Sequence, residues 1–279
     1  MVGASGAMGR RLAPVKGGSL RLRVLSALVL APLPIVGIWF GGPLLMVLTV
    51  GAAAVMAWEW GHLCGGGSND APVLIGVIAV AVIAAGLFGL AAGAALALGG
   101  AVVVWRVALH DRAAAPLWLA AGSLWVALPC MILLWLSSST GRGTLFWMFA
   151  VVWATDIGAY AVGRQFGGPL LAPRWSPRKT WAGLAGGILC AGLAGWATAG
   201  VLGATPVLPL VLVSAGLAIV EQFGDLAESV AKRRFGVKDA SSLIPGHGGL
   251  LDRLDGLLAV IPAVALLTLF GGGSLLTWR

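Results

Sequence analysis

Charge is scarce in this sequence. Only 10% of its 279 residues are Asp, Glu, Lys or Arg, whereas soluble domains carry about 25%. With 59% hydrophobic residues and a mean hydropathy of +0.97, a soluble fold is excluded, because too little polar surface remains to face water. Cysteine is nearly absent too. Cys64, Cys130 and Cys190 are scattered and form no CxxC pair, which excludes a disulfide framework and a cysteine-based zinc site and leaves them as small apolar residues. No repeat of roughly 20–50 residues occurs. No basic stripe is interleaved with aromatics, so the net charge of +8 does not indicate nucleic acid.

What is present is a succession of long apolar runs. A membrane-spanning helix needs about 20 mostly apolar residues, and that criterion predicts helices over 22–41, 43–63, 72–90, 91–109, 117–136, 144–163, 182–202, 207–233 and 250–270. The fold class expected is therefore all-α, a polytopic integral membrane protein of about nine spans without a soluble domain. The third and fourth spans run together through Gly86, Gly89 and Gly93. The 43 glycines suit helices packed closely in lipid. Arg10, Arg11 and Lys16, with Arg21 and Arg23, resemble the basic start of a signal peptide. The apolar run that follows is long enough to span and lacks a small-residue cleavage site, so a retained first helix is expected.

Charge placement supports this count. If the basic tail of residues 1–20 is cytoplasmic, the inside segments are that tail, 64–71, 110–116, 164–181 and 234–249. With the adjoining helix ends they hold sixteen of the eighteen Lys and Arg, leaving only Arg142 and Arg279 outside, as the positive-inside rule requires. The chain divides into the tail (1–20), a first group of spans (21–143) and a C-terminal catalytic region (144–279).

Six of the ten acidic residues fall between Glu221 and Asp255. Such density in an apolar chain is costly unless it binds something. Asp225, Ser229 and Lys232 share a helix face, flanked by Glu221 and Glu228. Asp252 and Asp255 project together from the start of the last helix. Between the acids around Asp225 and those at Asp252 and Asp255, Ile244-Pro-Gly-His-Gly-Gly249 is expected to be a non-helical loop whose backbone N–H groups can approach an anion. Carboxylates on neighbouring helices, beside Lys232, Arg233, Arg234 and Lys238, suit a magnesium–phosphate site. Alternatives stand beside this. Lys232-Arg233-Arg234 alone reads as topology charge, and Asp252 with Arg253 as an interfacial salt bridge. Asp225 resists such a reading, because an acid at that depth is functional by default.

A second charged stretch covers 153–183. Asp156, Tyr160 and Arg164 end one helix, and Arg174, Ser176, Arg178, Lys179 and Thr180 follow around Pro173 and Pro177. It reads either as an ordinary inside loop or as a contact for nucleotide or lipid headgroup. Trp58-Glu59-Trp60 reads as interfacial anchoring around a water-facing acid. His247 serves either as base or ligand, or as a conformational, hydrogen-bonding residue.

From Ser229, the run S-V-A-K-R-R-F-G-V-K-D-A-S-S-L-I-P-G-H-G-G-L-L-D-R-L-D resembles the long signature of phosphatidate cytidylyltransferases (CDP-diacylglycerol synthases) of bacterial type. Ser229, Lys232, Arg233, Lys238, Asp239, Pro245, His247, Gly248, Gly249, Asp252, Arg253 and Asp255 stand at its fixed positions. The resemblance extends to Gly224-Asp225, to residues 153–167, to S-P-R-K-T-W at 176–181, to A-W-E-W at 57–60 and to residues 23–32. One position departs from it. The family follows K-T-W with glutamate, and this chain has Ala182.

The resemblance implies transfer of CMP from CTP to phosphatidic acid, giving CDP-diacylglycerol and pyrophosphate. It implies magnesium (Mg2+) and allows a second, monovalent ion such as K+. Asp225 and Asp252 correspond to metal ligands, with Asp255 completing the shell or positioning substrate, and Lys232 meeting phosphate. Ser229, Arg233, Lys238, His247, Gly248, Gly249 and Arg253 would line the substrate path, joined by Asp156, Arg164 and Lys179. A homodimer in the cytoplasmic membrane, with N-terminus and active site facing the cytoplasm, is expected. Three alternatives remain. A polyprenol kinase using CTP would release CDP. A transporter would hold its charges nearer mid-bilayer. A CDP-alcohol phosphotransferase needs an arginine where Val260 follows Asp255-Gly-Leu-Leu-Ala259. The metal-ligand assignment predicts that Asp225→Asn loses CMP transfer while the purified protein stays folded, checked by turnover beside a thermal melt.

Overall fold

The computed structural model describes residues 25–26, 28–65 and 70–277. The basic tail and its arginines and lysine, the segment 66–69 and Arg279 lie outside the described residues, so the expectations placed on them are not addressed by it. The described helices are α1 (Pro32–Phe40), α2 (Gly42–Leu63), α3 (Asp70–Phe88), α4 (Leu90–His110), α5 (Pro116–Thr140), α6 (Arg142–Phe166), α7 (Trp181–Leu202), α8 (Val207–Arg234) and α9 (Leu251–Phe270). Eight of them, α2 to α9, are long and apolar enough to cross a membrane, and α1 belongs to a shorter apolar helix, Leu28–Phe40. In lipid no water satisfies backbone N–H and C=O groups, so helices that bond them internally are the stable form of such runs. The all-α, polytopic expectation holds. The third and fourth spans are separate helices: the chain turns at Gly89, where φ is +93°, a conformation glycine adopts without penalty.

Two buried clusters organise the bundle. One gathers Met56, Trp60, Leu74, Ile78, Val104, Leu119, Val126 and Met131 from α2 to α5. The other gathers Leu145, Trp147, Met148, Val151, Leu210, Leu217, Val260 and Ile261 from α6, α8 and α9. Helix α9 contributes to both, through Leu251 and Leu258 to the first and through Leu257, Val260 and Ile261 to the second. The Trp147 indole N–H donates to Ser214 Oγ at 2.9 Å and pins α6 to α8.

Small residues set how closely the C-terminal helices approach. A Cβ placed on Gly158 of α6 would lie 2.7 Å from the Gly186 carbonyl of α7, and one on Gly186 would lie 2.8 Å from the Gly158 carbonyl. Both helices therefore need glycine at the crossing. The same holds at Gly224 of α8, where a Cβ would meet Ala259 Cβ at 2.7 Å and the Asp255 carbonyl at 2.8 Å. This crossing brings Asp225 beside the turn of α9 that carries Asp255.

The segment 164–181, read from sequence as a loop, contains a small antiparallel hairpin, β1 (Leu170–Ala172) with β2 (Ser176–Thr180). Thr180 ends it and caps α7, its hydroxyl accepting from Gly183 N–H at 3.0 Å. Lys179 is thereby held in an ordered strand. Gly224→Val is expected to destabilise the protein by about 1–3 kcal/mol, the usual cost of overpacking, and to reduce turnover as α8 and α9 separate. A lowered melting temperature in detergent, measured with the rate, checks this.

Candidate functional site

Lys232, two turns after Asp225 on α8, is the centre of the charged cluster. Its ammonium donates to Asp252 Oδ1 at 2.7 Å and to Glu228 Oε2 at 3.0 Å. All three residues are buried, so an unpaired charge here would be strongly unfavourable. The pairing follows from local geometry. Glu228 and Lys232 are one turn apart on α8, and the close approach of α9 supplies Asp252.

Asp252 is also tied to the loop before it. Its carboxylate accepts from Ala240 N–H, at 3.1 Å to Oδ1 and 3.0 Å to Oδ2, and from Gly249 N–H at 2.8 Å. The loop itself closes through Ile244 N–H to the Gly248 carbonyl at 2.8 Å, with His247 and Gly248 N–H groups donating to the Ile244 carbonyl. Gly246 and Gly248 have φ of +81° and +89°. The N–H groups of His247, Gly248 and Gly249, expected to face an anion, are thus engaged within the protein. Backbone hydrogen bonding is local and cannot be read from composition, which is why glycine content alone suggested an open donor array.

One turn deeper on α8 the second part of the cluster begins. Asp225 Oδ2 lies 2.6 Å from Lys179 Nζ, an ion pair without hydrogen-bond alignment, and Ser229 Oγ donates to Asp225 Oδ1 at 3.3 Å. Asp255 lies near Asp225 and Glu228; Asp255 Oδ1 accepts from Gly256 N–H at 2.8 Å. Asp156, exposed on α6, faces Glu221, Asp225 and Lys179. Glu221 is buried and accepts from Gln222 Nε2 at 2.6 Å.

The structure therefore brings together Asp156, Lys179, Asp225, Ser229, Lys232, Asp252 and Asp255. The other expected residues lie around this group. Arg253 donates to the His247 carbonyl at 3.0 Å, and His247 Nδ1 is 2.7 Å from Ser26 Oγ. His247 thus takes up the hydrogen-bonding role. Arg233 donates to the Trp175 and Val237 carbonyls at 3.4 and 3.1 Å and ties the hairpin to α8. Lys238 is exposed. Arg164 donates to Tyr160 OH at 2.7 Å on the exposed side of α6.

Glu59 corrects the sequence reading. It is not water-facing but fully buried, and it accepts from Ser241 Oγ at 2.6 Å, Leu250 N–H at 2.8 Å and Leu251 N–H at 2.7 Å. Its neighbours Trp58 and Trp60 gave an interfacial signal, and nothing within residues 57–60 points to a partner about 190 positions away. Glu228 was visible only as a flank of Asp225; its spacing of four before Lys232 was the available clue.

Among the described residues, no three His, Cys, Asp or Glu side chains stand ready as a closed metal cage. The donor chemistry nevertheless fits Mg2+, a hard cation that binds through one or two carboxylates and completes its shell with water and substrate phosphates. The buried Glu228 Oε1 has no hydrogen-bond partner among the described residues, which leaves an acceptor of the kind a hard cation takes.

Comparison with known proteins follows the same lines. The model of the cytidylyltransferase family matches residues 21–270. A phosphatidate cytidylyltransferase of Brucella suis biovar 1 (strain 1330) is 39% identical over 261 residues, covering 91% of this chain and 93% of the relative. One from Pseudomonas aeruginosa is 37% identical over 267 residues, covering 89% and 96%. One from Mycobacterium bovis is 38% identical over 200 residues, covering 64% and 65%.

Removing the central cation should leave Glu228 and Asp252 buried and unpaired. Lys232→Met is expected to cost about 3–5 kcal/mol and to lower the melting temperature clearly, whereas Lys232→Arg should retain much of the stability. Parallel thermal melts of the two variants test this.

Proposed function

The chain belongs to the cytidylyltransferase family, and we propose how its residues divide the synthesis of CDP-diacylglycerol from CTP and phosphatidic acid. A phosphate oxygen of the lipid attacks the α-phosphorus of CTP, the bond from that phosphorus to the β-phosphate bridging oxygen breaks, and pyrophosphate leaves. The nucleophile is already an anion, so no general base is needed. Two anions must approach, and that repulsion is the barrier a site has to offset.

The observation carrying this assignment is a cluster of four carboxylates, Asp225, Asp255, Glu228 and Asp252, with Lys179 paired to the first and Lys232 to the last two. Asp225 and Asp255 would hold Mg2+, with Asp252 as the third ligand. The bound metal supplies charge neutralisation at phosphate oxygens. A carboxylate has about four lone-pair positions. Asp252 already accepts from Lys232 and two backbone N–H groups, so its place in the ligand set opens as Lys232 turns from Asp252 to the incoming phosphate. Lys179 makes the corresponding move from Asp225. Each lysine is held by a carboxylate until phosphate replaces it, which keeps the buried charge balanced throughout. Asp156 and Ser229 border this space, Arg233 and Lys238 lie at its rim, and Arg164 and Arg253 extend the rim toward anionic headgroups. Position K+ is left to the acids Glu221 and Asp156, whose oxygens suit a hard cation.

Further parts of the reading rest on charge and family. The reading puts the site on the cytoplasmic side of the inner membrane, with the N-terminus on the same side and two copies forming a dimer; the lysines and arginines around the site support that orientation. CTP enters from water and phosphatidic acid from the bilayer. The catalytic residues all come from 144–279. Ala182 leaves that position without an acid, and Glu221 is an acid that lies near Lys179, three residues earlier in the chain.

The test is incubation of purified protein with phosphatidic acid, Mg2+ and CTP labelled at the α-phosphate. Label appearing in a lipid, with release of unlabelled pyrophosphate, is expected. Release of CDP with no labelled lipid would indicate a kinase and overturn the assignment.

A further inference from the structure

Glu59 is remote from the reacting groups in sequence and, among the described residues, pairs with no cation. A fully buried carboxylate in that position needs strong compensation. It receives three hydrogen bonds, and all come from the segment that delivers the catalytic acids: Ser241 hydroxyl and the N–H groups of Leu250 and Leu251. The last two are the exposed donors at the start of α9, where the helix dipole also favours negative charge. Helix α9 has no side-chain cap of its own at Leu250, so the cap is supplied from α2.

The neighbouring donor completes the pattern. Gly249 N–H goes to Asp252, while Leu250 and Leu251 N–H go to Glu59. Three successive amides are thus divided between two carboxylates on opposite sides of the chain. Gly249 is where they crowd: a Cβ there would lie 2.7 Å from Glu59 Oε1. Without Glu59, Asp252 would be the only carboxylate left to serve this helix start, and would be drawn away from Lys232.

We infer that Glu59 is a positioning residue for CMP transfer: it caps α9 from α2 and so leaves Asp252 free to work with Lys232 and substrate. This inference rests on the assignment of Asp252 to the active site and deepens it.

Two measurements test it separately. Glu59→Gln preserves shape but puts an amide donor against N–H groups. It is expected to lower kcat about tenfold to a hundredfold, the range for residues that orient a ligand, and to speed amide hydrogen exchange in a peptide spanning 249–253. Gly249→Ala should lower kcat to a similar degree, because its methyl meets Glu59. Combining Glu59→Ala with Gly249→Ala should then be no slower than the worse single change, since the collision is gone; general destabilisation would instead give additive losses. Unchanged kcat and exchange in Glu59→Gln, or additive losses in the double variant, overturns the inference. Faster exchange with unchanged kcat overturns it too and singles out the role given to Asp252, because the cap would then be real without mattering to turnover. If Glu59→Ala does not fold, Glu59→Gln with the exchange measurement decides alone.

Discussion

The ammonium of Lys232, held between Glu228 and Asp252, is the contact on which the rest of the site depends. In a buried, weakly screened setting each of these charges alone would be costly, and together they are tolerable. The pairing also links two helices that are otherwise joined by apolar packing. Helix α8 brings the base and one acid, α9 brings the other, and the glycine crossing at Gly224 lets the two backbones come close enough for side chains as short as aspartate to meet.

This arrangement has a functional consequence. A site that binds a triphosphate and a phospholipid must be cationic when occupied and yet stable when empty. In the proposed site, holding each lysine on a carboxylate would meet both demands, because phosphate can exchange for carboxylate with little change in net charge. Lys179 lies 2.6 Å from Asp225 without hydrogen-bond alignment, whereas Lys232 donates a hydrogen bond to Asp252 at 2.7 Å. The two buried clusters give this centre rigid walls, and α9, which contributes to both, carries two of its acids.

The N-terminal half is tied to the charged cluster by contacts that its composition conceals. Helices α2 to α5 look like a membrane anchor, apolar and nearly uncharged. Glu59 nevertheless reaches from α2 into the start of α9, and Ser26 reaches the loop histidine. A division of the chain into anchoring and catalytic segments leaves out these contacts, which join residues before 60 to the loop and helix that carry Asp252.

Sequence alone determined the class of the protein and, for the eight spans α2 to α9, the positions of the helices to within a few residues, because hydrophobic length is a local property that lipid reads directly. It also determined which acids and bases gather in one stretch, since Asp225, Ser229, Lys232, Asp252 and Asp255 are close in the chain and their helical spacing places them on common faces. Partners across the bundle were decided by tertiary structure: Lys179 on Asp225 through an unexpected hairpin, Asp252 on the amides of its own loop, and Glu59 on a helix start some 190 residues away. The first and last of these join distant segments, and their existence depends on how closely the elements that carry them approach. That distance is set by glycines such as Gly224 and Gly249, whose meaning appears only when one sees what a methyl group there would strike.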